Sequence, residues 1–83
     1  MSNGSDQKFV RACAKFILGE SSGIKLHGSS ERISATREVL SASRDLFEAL
    51  QGGLTLSVIK PLIERKRAAA DKFKRATGLT WRL

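Results

Sequence analysis

Glu31-Arg-Ile33-Ser-Ala35-Thr-Arg-Glu-Val39-Leu40-Ser-Ala42-Ser-Arg-Asp-Leu46-Phe47-Glu-Ala49-Leu50-Gln51 is the stretch that decides the fold. Ile33, Leu40 and Phe47 recur every seven residues. Val39, Leu46 and Leu50 make a second stripe beside them, with Ala35, Ala42 and Ala49 at its far edge. That periodicity predicts a helix over 31–51. Ser30 is expected to cap it, and Glu31 suits the positive end of its dipole. At about 100° per residue the stripes together span roughly half the circumference. A surface helix needs a narrower apolar arc. The helix is therefore expected to be central, packed between two elements or between one element and a second subunit.

C-terminal to it, Gly52-Gly53 is a break. Residues 54–58 read either as an extended connector or as the start of the next helix, with Thr55 or Ser57 as cap. A last helix is predicted over 58–77, about 30 Å long, with Pro61 in its first turn. Its apolar side is Val58, Ile59, Leu62, Ile63, Ala69, Ala70, Phe73 and Ala76, and Lys66 falls among them, where it must snorkel or meet a partner. Gly78 ends it. Leu79-Thr-Trp81-Arg-Leu83 alternates, so a minor two-stranded pairing with the alternating Ile24-Lys-Leu-His27 is an alternative to a plain tail.

On the N-terminal side, Phe9, Cys13, Phe16 and Ile17 share one face of a short helix over 7–19, with Lys8, Arg11 and Lys15 opposite. Gly19 suits its end. Residues 1–6 are small and polar, and a disordered tail is expected there, with Ser5 or Asp6 available as a cap. Residues 20–30 read as a loop. The expectation is one all-α domain over 7–83: a short first helix, two longer ones, and a homodimer. A chain of 83 residues buries a thin core, so a second copy is the open route to extra stability.

The charge is unevenly placed. The chain carries +7, and from Ile59 to Leu83 eight basic and two acidic residues give +6 of it. The last helix carries Lys60, Arg67, Lys74 and Arg75 on one side, flanked by Arg65 and Lys72. Basic residues clustered on a helix face are the footprint of a polyanion partner. These six residues are the candidate nucleic-acid-binding site, with Arg67, Lys74 and Arg75 as main phosphate contacts. Such contacts position a protein without reading bases, so shape-driven or non-specific binding to double-stranded RNA or DNA is expected. Glu64 and Asp71 lie inside the stripe and are expected to pair along the helix with their basic neighbours. The alternative partner is an acidic protein, with the last helix docked in its groove.

Other chemistry is thinly represented. Cys13 and His27 are the only residues of their kinds. A disulfide within the chain and a Cys/His zinc site both lack residues. Cys13 lies at an apolar helix position and reads as a small hydrophobe, and His27 reads as a loop residue. Gly19-Glu-Ser-Ser-Gly23-Ile-Lys25 lacks the Gly-Lys-Ser/Thr of a phosphate loop. The acidic residues are scattered singly. No enzyme activity, metal or cofactor is expected. Trp81, the single Trp, reads as cover for the core rather than a base-stacking surface. The polar start and the lack of an apolar run of about 20 residues lead to the expectation of an intracellular protein, cytoplasmic or nuclear, without a membrane partner. In architecture alone, the wide apolar faces and long basic helix resemble virus-encoded helical dimers that bind double-stranded RNA, and flavivirus-type capsid proteins. That likeness implies a viral origin as one option.

Overall fold

The computed structural model of the chain describes residues 3–21 and 23–83. It is all-helical: α1 Asn3–Ile17, α2 Ser30–Gln51 and α3 Leu56–Thr77. α2 and α3 form an antiparallel hairpin, α1 packs on α2, and among the described residues α1 and α3 do not pack on one another. Residues 79–83 fold back as an extended tail. The molecule measures 41 × 26 × 22 Å along its principal axes.

Local chemistry explains the boundaries. Ser29, not Ser30, caps α2: its side-chain oxygen accepts a hydrogen bond from the Arg32 backbone N–H at 3.2 Å. Ser30 is the first helical residue instead. At the other end Gly53 has φ +66°, a left-handed conformation that a residue with a Cβ rarely adopts. There the Gly53 N–H donates to the Leu50 carbonyl and the Leu54 N–H to that of Ala49, closing α2 with two crossed bonds. α3 then begins at Leu56, earlier than the expected 58, with Thr55 as its cap residue. The Thr55 hydroxyl is bonded to that of Ser57 at 2.9 Å and makes no cap bond to the backbone. The earlier start moves Pro61 out of the first turn. Its missing N–H deprives the Ser57 carbonyl of a partner, but Ser57 is exposed and water can serve it. α1 also starts early. Helix already runs from Asn3, so Ser5 and Asp6 lie inside it rather than capping it. Of the tail expected over 1–6, Met1 and Ser2 lie outside the described residues.

Two small clusters make the core. Val39, Ala42, Ala69 and Phe73 fill the α2–α3 seam. Cys13, Ile17 and Leu40 fill the α1–α2 seam, with Phe9, Phe16, Ile24, Leu26, Phe47 and Leu83 around them. Trp81 packs against both. Alanines at 35, 42, 49 and 69 are all buried, which lets the hairpin helices approach closely. Arg44 lies over the Phe16 ring at 4.9 Å from its centroid and pairs with Glu48 at 3.1 Å, tying α1 to α2.

Two expectations change here. Among the described residues there is no strand: residues 24–27 and 79–83 pack by side chains, and no two-stranded pairing forms. Apart from Leu50, which stays 56% exposed, the wide apolar arc of α2 is covered within one chain, by α1 on one side and α3 on the other. The covered part of that arc gives no reason for a homodimer.

Candidate nucleic-acid interface

The outer face of α3 carries the basic residues because α3 is amphipathic with a period of 3.6. Ile59, Ala69 and Phe73 turn inward and are buried. Lys60, Arg65, Arg67, Lys72, Lys74 and Arg75 are all exposed. Lys60, Arg67 and Lys74 follow one another at seven-residue steps, about 10 Å each along the axis, drifting only about 20° per step. Arg75 stands beside Lys74. The stripe is about 21 Å long from Lys60 to Lys74.

The six expected site residues fall into two groups. Arg65 reaches back to α2, where its Nη1 is 2.6 Å from Asp45 Oδ2. Lys72 does the same two turns on, its Nζ 3.0 Å from Glu38 Oε2. These two bridges lie along one flank of the hairpin and brace α3 against α2. Both are about half exposed and add little stability each. Lys60, Arg67, Lys74 and Arg75 make no ion pair among the described residues. The expected pairing of Glu64 and Asp71 along α3 does not form either. The carboxylates that are engaged belong to α2. Sequence spacing alone pointed to partners on the same helix, whereas the hairpin supplies closer ones across the seam.

The tail adds a residue that the helix pattern could not reveal. Lys66, stranded in the apolar sector, donates from Nζ to the Leu83 carbonyl at 2.6 Å. That bond helps hold the tail along α3, and Arg82 then lies on the same shallow groove as Arg67. The groove is floored by Leu46, Ile63, Ala70 and Trp81, and its charged lining is Lys66, Arg67 and Arg82. The alternation of 79–83 was the available signal: it turns Trp81 and Leu83 inward and Arg82 outward.

Cys13 is fully buried, and burial pushes its thiol from 9.0 up to about 11. A nucleophilic cysteine needs the opposite shift. Trp81 is committed to packing: its indole N–H donates to the buried Ser43 hydroxyl at 2.9 Å, and its ring meets Phe73 edge-on at 5.2 Å. No helix is long and apolar enough to cross a membrane, and no three His, Cys, Asp or Glu residues gather, among the described residues. The chain matches no protein-family model, no curated protein and no solved structure.

Proposed function

We propose that the chain binds nucleic acid, double-stranded RNA or DNA, through the phosphate backbone, using the exposed face of α3. One observation carries this reading: Lys60, Arg67, Lys74 and Arg75 stand exposed along one helix with no carboxylate among the described residues paired to them. A basic residue already in an ion pair must give that pair up to meet a phosphate. These four need not. Arg67, Lys74 and Arg75 are the main contacts, Lys60 and Arg82 extend them, and Arg65 and Lys72 orient the helix. Contacts to phosphate alone give shape-driven, weakly specific binding. One copy is expected to bind in the range of about 10⁻⁴ to 10⁻⁶ M at physiological salt. A homodimer would double the contacts.

The test is a titration of Arg67→Glu/Lys74→Glu/Arg75→Glu against double-stranded RNA, double-stranded DNA and a single strand at two salt concentrations. Binding is expected to vanish while helicity stays, because all three side chains are exposed. Unchanged affinity overturns the reading.

The groove beside Trp81 supports a second reading. Its apolar floor and the cations Lys66, Arg67 and Arg82 suit an acidic, amphipathic protein segment. Absence of nucleic-acid binding even at low salt would move the assignment to such a partner.

A further inference from the structure

Besides Val10, Leu18 and Leu79, the exposed large apolar side chains belong to the hairpin end of the molecule. Leu56 is 78% exposed and Leu50 56%, and Leu54, Val58 and Ile63 each keep two fifths or more of their surface. The cause lies in the architecture. α1 and the tail cover only part of the hairpin, and the core clusters take nothing from α2 beyond Phe47 or from α3 before Ala69. Past that line the hairpin is two helices thick. Ala49 and Ile59 fill its seam, and the remaining apolar residues have no third layer. Exposed apolar surface gathered in one region marks an interaction site far more often than singly scattered residues do.

Charge selects the occupant. Between Leu46 and Glu64 the charged residues are Glu48, Lys60 and Glu64, a local balance of −1 within a chain of +7. Apart from Ile63, which borders the groove of Lys66, Arg67 and Arg82, this end has no positive surplus to attract an anionic membrane, a nucleic acid or an acidic protein. A second +7 molecule can approach this near-neutral end without strong repulsion. Lys60 and Glu64 stand one turn apart on α3 with opposite signs. Glu48 is already held by Arg44. A two-fold contact brings the same patch from both copies together, apolar to apolar.

We propose that the α2–α3 hairpin end, built from Leu50, Leu54, Leu56, Val58 and Ile63, is the surface on which a second copy of this chain docks. The dimer places two α3 faces in line, with Arg67, Lys74 and Arg75 of each beyond the contact and free. Its use in binding rests on the nucleic-acid reading, but the contact itself does not.

The experiment is sedimentation velocity on the full chain without nucleic acid, from low to about 100 µM, at 0.15 M and 0.5 M salt. The expected species is a dimer, strengthened by salt as repulsion between the +7 chains is screened. Leu50→Asn/Leu56→Asn conserves charge and is expected to raise the dimer dissociation constant at least tenfold. Its circular dichroism should match the parent, since both leucines are exposed. A parent chain that is monomeric throughout overturns the proposal, as does a dimer that the double variant leaves intact. A monomer that floats with anionic vesicles and loses this with the double variant also overturns it, in favour of a membrane. A dimer that binds no nucleic acid leaves this inference standing and removes the proposed function alone.

Discussion

Trp81 is the side chain that belongs to both halves of the core. It touches the α2–α3 cluster through Phe73 and the α1–α2 cluster around Cys13 and Leu40. Trp81→Phe removes the donor to Ser43 and leaves a buried hydroxyl without it, at about 1 kcal/mol. Trp81→Ala costs about 3 kcal/mol, the low end for an aromatic truncation because the indole is partly exposed. Urea unfolding followed by circular dichroism measures both, since each variant lacks the only tryptophan. Equal costs would mean that the ring's packing contributes little beyond its hydrogen bond. Cys13 makes a pH-dependent contribution. Its folded pKa lies above the unfolded value, so the folded state holds the thiol proton more tightly. The stability this provides is fully present below pH 9 and is lost as pH rises towards about 11. At pH 8 the native thiol should react with a disulfide reagent at least about a hundredfold more slowly than the urea-unfolded chain. Equal rates would place Cys13 at the surface. Both residues were legible as core from the apolar stripe and the terminal alternation. The partners of Lys66, Arg65 and Lys72 were not, because each lies on another element and spacing along one helix carries no information about it.

At the scale of elements, periodicity was the readable signal. The seven-residue recurrence of Ile33, Leu40 and Phe47 located α2, and Gly52-Gly53 located the turn after it. Boundaries moved where local hydrogen bonds compete. Ser29 and Ser30 are both good cap residues, and only the bond from the Arg32 N–H distinguishes them. Thr55-Leu-Ser57 offered two caps, and the chain used the first as a boundary while tying both hydroxyls to each other. α1 extends back to Asn3 although Asn3-Gly-Ser-Asp6 is poor in helix formers. Residues 79–83 look strand-like on alternation alone. A strand needs a partner with free backbone groups along its length. Here the tail is pinned instead by the Trp81 indole on Ser43 and by Lys66 on the Leu83 carbonyl. Side-chain anchoring replaced the ladder that the pattern suggested.

The whole molecule is a hairpin with a helix leaning on it, and the tail is the wedge between them. Among the described residues α1 packs on α2 but not on α3, and Trp81 and Leu83 pack against the α1–α2 cluster on the side where α3 lies. Phe9, Val10 and Cys13 of α1 face Phe73 of α3 across a cavity that residues 78–83 line. This design makes the stability of α1 depend on five residues far from it in sequence. Local opening follows the density of buried contacts, so the parts of a small domain need not open together. In the intact chain the amides of α1, α2 and α3 should exchange with protection within about tenfold of one another, because the shared tryptophan couples the two clusters. Removing residues 79–83 exposes Phe9, Cys13 and Phe73 and withdraws the partner of Lys66. The amides of α1 should then exchange at least tenfold faster relative to those of α2 and α3, which keep the seam of Val39, Ala42, Ala69 and Phe73. Hydrogen exchange read by mass spectrometry separates the outcomes. Uniform loss in all three helices would mean that the hairpin itself relies on the tail. Unchanged protection of α1 would mean that α2 alone holds it, and that the tail's task is to bring Arg82 to the basic face. That face should bind with reduced affinity in the truncated chain but not lose binding, since Arg67, Lys74 and Arg75 remain on α3.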